Sequence, residues 1–168
     1  GVEQQDKVAN YLYNGPEYLE AVFGTMKAGL VAVNTNYRYG DDELVYLWDN
    51  ADAVAVVFHG TFTEGIERIR AKVPGVKVWL WVDDGAGPCP EWAIPYEQAA
   101  ASHPDRVVAP WGRSGDDVYM LYTGGTTGMP KGVMWRHHDL YNVFAQMLGA
   151  GGDEQDLDSL RARFTMKG

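Results

Sequence analysis

Short apolar runs alternate along this chain with stretches whose apolar residues recur every three to four positions. The first kind predicts strands and the second amphipathic helices. Val8 to Tyr13 reads as a strand. Asn14 and Glu17 then have capping-box spacing, with Pro16 in the first turn, ahead of an apolar stripe of Tyr18, Leu19, Val22, Phe23 and Met26. Gly29 stops that helix, and Leu30 to Val33 forms the next strand. Three acids, Asp41, Asp42 and Glu43, suit the positive end of a helix dipole and precede the stripe Leu44, Leu47, Trp48. Ala53 to Phe58 is continuously apolar, as a strand buried on both faces should be.

The alternation continues. Thr61 and Glu64 have capping-box spacing before Ile66, Ile69 and Val73, with Arg68, Arg70 and Lys72 toward the helix end. Val76 to Val82 is a strand, and Asp83 to Trp92 a Gly/Pro-rich loop. A short helix from about Tyr96 to Ser102 leads into an irregular link to Asp117. An apolar run from Val118 to Tyr122, a glycine- and threonine-rich loop, and Val133 to Trp135 predict a strand hairpin, with Lys131 opening its second strand. A helix from about His138 to Leu148 follows. Repeated strand–helix–strand units predict an α/β fold: a doubly wound, mostly parallel sheet with flanking helices, whose ligands lie beyond the carboxyl ends of its strands.

Composition narrows the function. The 168 residues are 46% hydrophobic and 12% aromatic, enough for a folded core. The net charge of −9 speaks against a nucleic-acid partner, which would recruit basic patches. Cys89, the single cysteine, lies between two prolines and reads as a loop residue; no internal disulfide can form. The apolar runs are too short to span a bilayer, so no transmembrane segment is expected. The cytoplasm is the expected location, with peripheral membrane association left open. His137-His138-Asp139 is not read as a metal site, because adjacent helical side chains point about 100° apart. Asp116-Asp117 reads as a solvated pair matched to a dipole. Trp79-Leu80-Trp81 reads as sheet core facing both sides.

The chemistry concentrates in Thr123-Gly124-Gly125-Thr126-Thr127-Gly128-Met129-Pro130-Lys131-Gly132. Glycines let backbone N–H groups turn toward an anion, and hydroxyls and an ammonium add donors and positive charge. Such a loop after a buried strand suits a polyphosphate. A Walker loop is excluded, because Pro130 precedes the lysine and Gly132 stands where Ser or Thr is required. The dinucleotide fingerprint fails as well. A hairpin tip without a ligand is the alternative that composition leaves open.

Tyr122 to Val133, Y-T-G-G-T-T-G-M-P-K-G-V, resembles the phosphate-loop motif of the adenylate-forming enzymes, the family of acyl-CoA ligases. Gly124 replaces its usual serine, and Thr126-Thr127 is the pairing usual in CoA ligases. His137 matches the family's usual histidine. Asp6-Lys7-Val8-Ala9 with Asn14 to Tyr18, and Met26 to Gly29 with Val33 to Asn36, resemble earlier motifs in the same order; Asn34 stands where proline is commoner. The Gly-Gly and Met-Trp-Arg variants look most like actinobacterial fatty-acyl-CoA ligases.

The resemblance implies activation of a carboxylic acid, fatty or steroid side-chain, with ATP and Mg2+ as acyl-adenylate, then transfer to CoA. It implies that Thr123, Gly124, Gly125, Thr126, Thr127, Gly128 and Lys131 bind phosphate and that none of them is the catalytic lysine. The family's aromatic-Gly-x-Thr-Glu and Thr-Gly-Asp segments have no match. Residues 1–148 are therefore expected to be part of the large N-terminal adenylation domain, 149–168 a continuation prone to fray, and the chain a fragment inactive alone. The acid's length and the oligomeric state are not legible. The alternative is a non-catalytic nucleotide-binding or interaction module.

Overall fold

A strand with partners on both sides satisfies its backbone on both edges and must bury both faces. The computed structural model, which describes residues 2–102, 108–123 and 129–147, arranges the chain around such strands. The elements, in order, are β1 (Lys7–Tyr11), α1 (Pro16–Lys27), β2 (Val31–Asn34), α2 (Asp41–Asn50), β3 (Ala53–His59), α3 (Thr63–Ile69), β4 (Val78–Val82), β5 (Ile94–Pro95), α4 (Tyr96–Ala101), β6 (Val118–Thr123), β7 (Lys131–Arg136) and α5 (His137–Met147). The seven strands form one sheet in the order β5-β4-β3-β1-β2-β6-β7. All neighbours are parallel except the β6–β7 hairpin. The expected doubly wound α/β sheet is present, and the winding reverses between β1 and β3, the central strands.

Each face carries its own core. Alternate strand residues Ala9, Tyr11, Val31, Val33, Val56 and Phe58 meet Leu44, Leu47, Trp48, Ile66 and Ile69 of α2 and α3. The opposite residues Val8, Leu12, Ala55, Val57 and Val82 meet Ala21 of α1. Trp79 and Trp81 join the first core and Leu80 packs on the second, so this tripeptide faces both sides as expected. Trp48 meets Trp79 edge-on at 5.7 Å, and its buried Nε1 donates to Thr35 Oγ1 at 3.2 Å, satisfying a polar group that would be costly unpaired.

Several local expectations are corrected. The α1 N-cap is Gly15 with no side-chain cap bond, so Asn14 and Glu17 form no capping box. The buried face of α1 centres on Ala21 and Thr25, while Leu19 and Phe23 are 56% and 55% exposed. Small side chains let the helix approach the sheet closely, and that rotates the apolar stripe away from the residues that hydrophobicity alone selects. Thr61 does not cap α3 either: a 3-10 turn over Gly60–Phe62 intervenes, and the Thr61 N–H donates to Asp84 Oδ2 at 3.0 Å. At α2 the acids do line the first turn, and Glu43 accepts from the Gly40 N–H at 2.9 Å. β1 and β4 are shorter than expected, and the two-residue β5 has no apolar run to announce it.

Asp117 is not solvated but only 2% exposed. Its carboxylate accepts from Gln5 Nε2 at 3.1 Å and the Ser114 N–H at 2.9 Å, while its carbonyl accepts from the His137 N–H at 2.8 Å. Gln5 holds a left-handed φ of 65° and accepts from the Val118 N–H at 2.9 Å. The buried carboxylate of Asp117 thus ties the start of β6 to the N-terminal segment, and its main-chain carbonyl ties it to the start of α5. Gly29, at φ +68°, ends α1 as expected and leaves room for Trp111, whose Nε1 donates to the Ala28 carbonyl at 2.9 Å.

Candidate functional site

Because β6 runs parallel to β2, its last residues emerge at the same sheet edge as the carboxyl ends of β1 and β2. That is the edge where ligands collect in doubly wound sheets. The hairpin is in register over six pairs, from Val118 with Arg136 to Thr123 with Lys131. Thr123 and Lys131 therefore face each other across its mouth, and both are exposed. The register thus puts a residue with a hydroxyl opposite one with an ammonium at the carboxyl edge of the sheet. Gly124, Gly125, Thr126, Thr127 and Gly128, the other predicted phosphate contacts, lie outside the described residues. Pro130, just before the lysine, is buried, so the second strand enters the mouth from an anchored residue.

The hairpin mouth has a specific support. The Tyr122 ring is buried, and its hydroxyl donates to Asn50 Oδ1 at 2.8 Å. Burial holds this phenol above its ordinary pKa, so it stays a donor. The ring lies over Gly132, its cross-strand partner. That contact gives a physical reason for glycine after the lysine, which sequence spacing could not supply.

Beside it is a cavity of about 220 Å³ lined by Asn14, Tyr18, Asn34, Asn36, Tyr39 and Tyr122 among others. The Tyr18 hydroxyl donates to Asn34 Oδ1 at 3.2 Å across its wall. Three stretches far apart in sequence, around Asn14, Asn34 and Tyr122, therefore converge on one polar hollow at the carboxyl edge. These are the three stretches that carry the resemblance in the sequence. The neighbouring crevice, where the winding reverses, holds an aromatic group that the sequence did not single out. Tyr13 packs 5.1 Å from Phe62 and 5.0 Å from Tyr37, and its N–H donates to His59 Nδ1 at 3.0 Å. Its residues come from separate segments, so no spacing reveals them.

His137 and His138 begin α5, as expected for helix-start residues. His138 Nε2 pairs with Asn142 Nδ2 at 3.0 Å. Among the described residues no group of three His, Cys, Asp or Glu side chains could hold a metal ion. No described helix is long and apolar enough to cross a membrane.

Comparison with known proteins gives these geometric facts a context. The family described as "AMP-binding enzyme" matches residues 1–164. The medium/long-chain-fatty-acid–CoA/3-oxocholest-4-en-26-oate–CoA ligase of Mycolicibacterium smegmatis is 43% identical over 146 residues, covering 85% of this chain and 26% of that protein. The 3-oxocholest-4-en-26-oate–CoA ligase of Rhodococcus rhodochrous is 42% identical over 154 residues, covering 90% and 27%. Among solved structures, the anthranilate CoA ligase AuaEII in complex with anthranoyl-AMP superposes with a TM-score of 0.78 at 27% identity, over 89% of this chain and 28% of that one. The chain spans about a quarter of the length of the curated relatives it matches.

Proposed function

We propose, from the premise that this chain belongs to the AMP-binding enzyme family, that the whole protein is an ATP-dependent acyl-CoA ligase. It activates a fatty or steroid side-chain carboxylic acid as an acyl-adenylate and passes the acyl group to CoA. Residues 1–148 form part of its large N-terminal domain. The observation that carries this reading is the convergence of the Asn14, Asn34 and Tyr122 stretches at the carboxyl edge, beside a hairpin mouth bearing Thr123 and Lys131. The names of the relatives supply the acid class.

The donor set fits a polyphosphate. An exposed hydroxyl and an exposed ammonium face each other where the strands end, and neither brings a competing negative charge. ATP supplies the leaving group that a resonance-stabilised carboxylate lacks. Thr123 donates to a phosphate oxygen, and Lys131 offsets the charge that builds as pyrophosphate departs. The backbone and hydroxyls of Gly124, Gly125, Thr126, Thr127 and Gly128 complete the cradle on this reading. Mg2+ travels with the nucleotide, which suits an ion that binds mainly to phosphate and water with few protein ligands.

The test is acid- and CoA-dependent release of AMP and pyrophosphate by the full-length protein, offered fatty acids of graded length and a steroid side-chain acid. Formation of the acyl-CoA with AMP supports the reading. ADP as product, or no acid-dependent nucleotide cleavage, overturns it.

A further inference from the structure

The hairpin that carries the phosphate loop is registered along more of its length with itself than with the sheet. β6 and β7 share six registered pairs, whereas β6 meets β2 through one, Val33 with Met120. Beyond Met120 no registered pair joins the strand to β2. Three residues remain before the loop: Leu121, Tyr122 and Thr123.

The Tyr122 hydroxyl, donating to Asn50 Oδ1 at 2.8 Å, spans this gap. Asn50 is the last residue of α2. That helix is anchored through Leu44, Leu47 and Trp48, all at most 2% exposed, so Asn50 stands on a rigid support. On the other side, the Tyr122 ring is in contact range of Gly132. Tyr122 is bonded to Thr123, and Gly132 to Lys131. A single side chain therefore touches both stems one residue from the two groups that face each other at the mouth.

We infer that Tyr122 and Asn50 are positioning residues, whose hydrogen bond sets where Thr123 and Lys131 stand relative to the sheet and hence the affinity for the nucleotide. This rests on the ATP-dependent reading above. Neither residue need touch substrate. The bond acts only on the loop stems, so its loss should be felt by ATP and not by the acid. Asn50 is exposed, so water can take over its half of the bond and the fold should survive.

The experiment compares Tyr122→Phe, Asn50→Ala, their double variant and Asn50→Asp in the full-length protein. Losing one hydrogen bond should raise KM for ATP about threefold to tenfold in either single variant. KM for the acid should stay within about twofold, because a merely structural lesion would move both. The double variant should be no worse than the worse single, since both remove the same bond. Asn50→Asp, which keeps the acceptor oxygen, should restore KM for ATP. Additive effects, a parallel rise in KM for the acid, or unchanged kinetics would overturn the inference.

A second readout does not depend on activity. Amide exchange at 121–123 and 131–133 should quicken in Tyr122→Phe while the Ala53–His59 strand keeps its protection. If the full-length protein proved not to use ATP, the functional reading would fail while this measurement still decided the positioning. Faster exchange confined to those residues supports it, and unchanged exchange refutes it.

Discussion

Tyr122 lies across the hairpin from Gly132, and a Cβ on that glycine would stand 3.1 Å from the tyrosine Cζ and 3.3 Å from its hydroxyl oxygen. The ring, rather than the backbone, is what requires glycine here, because Gly132 is not among the glycines with positive φ. Alanine would ordinarily be better than glycine in a strand. Gly132→Ala should nevertheless destabilise the chain by about 1 kcal/mol, because the ring must move against its bond to Asn50. Urea denaturation of Gly132→Ala in wild-type and Tyr122→Ala backgrounds checks this. A cost that persists without the ring would assign the effect to the backbone.

Lys131→Ala in the full-length protein should act on ATP and spare the choice of acid. A lost charge-assisted contact is worth about 1.5–3 kcal/mol, or roughly ten- to a hundredfold in apparent ATP affinity. If the contact tightens as pyrophosphate leaves, the loss moves into turnover. Steady-state kinetics with two acids of different length separate the cases. A swap in acid preference, or kinetics unchanged throughout, would remove Lys131 from the phosphate site.

Thr35→Val should cost more than an exposed threonine substitution elsewhere. The Trp48 Nε1–H would lose its acceptor inside the α2 core, where both residues are buried. An unpaired buried donor costs about 1–3 kcal/mol. Thr35→Ser, which keeps the oxygen, should recover most of it. Chemical denaturation of the pair measures the difference, and equal losses would show that keeping the hydroxyl does not rescue the fold.

Arg136 donates to both oxygens of Asp139 at 2.8 Å and to Asp116 at 3.0 Å, linking the hairpin's base to the first turn of α5. The guanidinium holds the Asp139 carboxyl below its ordinary pKa. A depressed carboxylate stabilises the fold above its unfolded pKa, and that contribution disappears as pH falls through the lowered folded value. The stability gap between wild type and Asp139→Asn should therefore be open at neutral pH and closed in acid. These groups are exposed, so added salt should narrow it too. Thermal melts across pH test this, and a gap that survives acidification would point to packing.

The 168-residue chain by itself should catalyse no acid-dependent ATP–pyrophosphate exchange. Its sequence contains one stretch resembling the family's phosphate-loop motif and no match to the aromatic-Gly-x-Thr-Glu or Thr-Gly-Asp segments of the resembling ligases. Exchange above a no-protein control with a panel of fatty acids would overturn this.

The parallel sheet was legible because both its faces are buried. Ala53 to Phe58 had to be apolar at every position, which no exposed strand requires, and the acids of Asp41 to Glu43 marked a helix start through their charge. Helix capping at Asn14 and Thr61 was misread because spacing alone cannot tell which residue the turn makes the cap. Gly15 and an intervening 3-10 turn took those places. Asp117 was misread for a related reason: an acid looks solvated in sequence unless its partners are known, and Gln5 lies more than a hundred residues away. At the candidate site, local motif chemistry singled out Thr123 and Lys131, and the hairpin register makes them cross-strand partners. Asn50 carried no sign at all, since its role depends on a tyrosine hydroxyl delivered by a distant strand.

The sheet order also dictates a history. β2 is flanked by β1 and β6, and the chain makes β3, β4 and β5 on the far side before returning to it. During synthesis the open edge of Val31–Asn34 waits for roughly eighty more residues, about 4–16 s at 5–20 residues per second. An unpaired edge is a template for other chains. Nascent chains stalled before Val118 clears the ribosome should recruit a holdase chaperone that chains stalled beyond Arg136 release. Equal recruitment at both lengths would show that something other than this edge is bound. The late hairpin of β6 and β7 thus acts as the bolt that closes the newborn sheet.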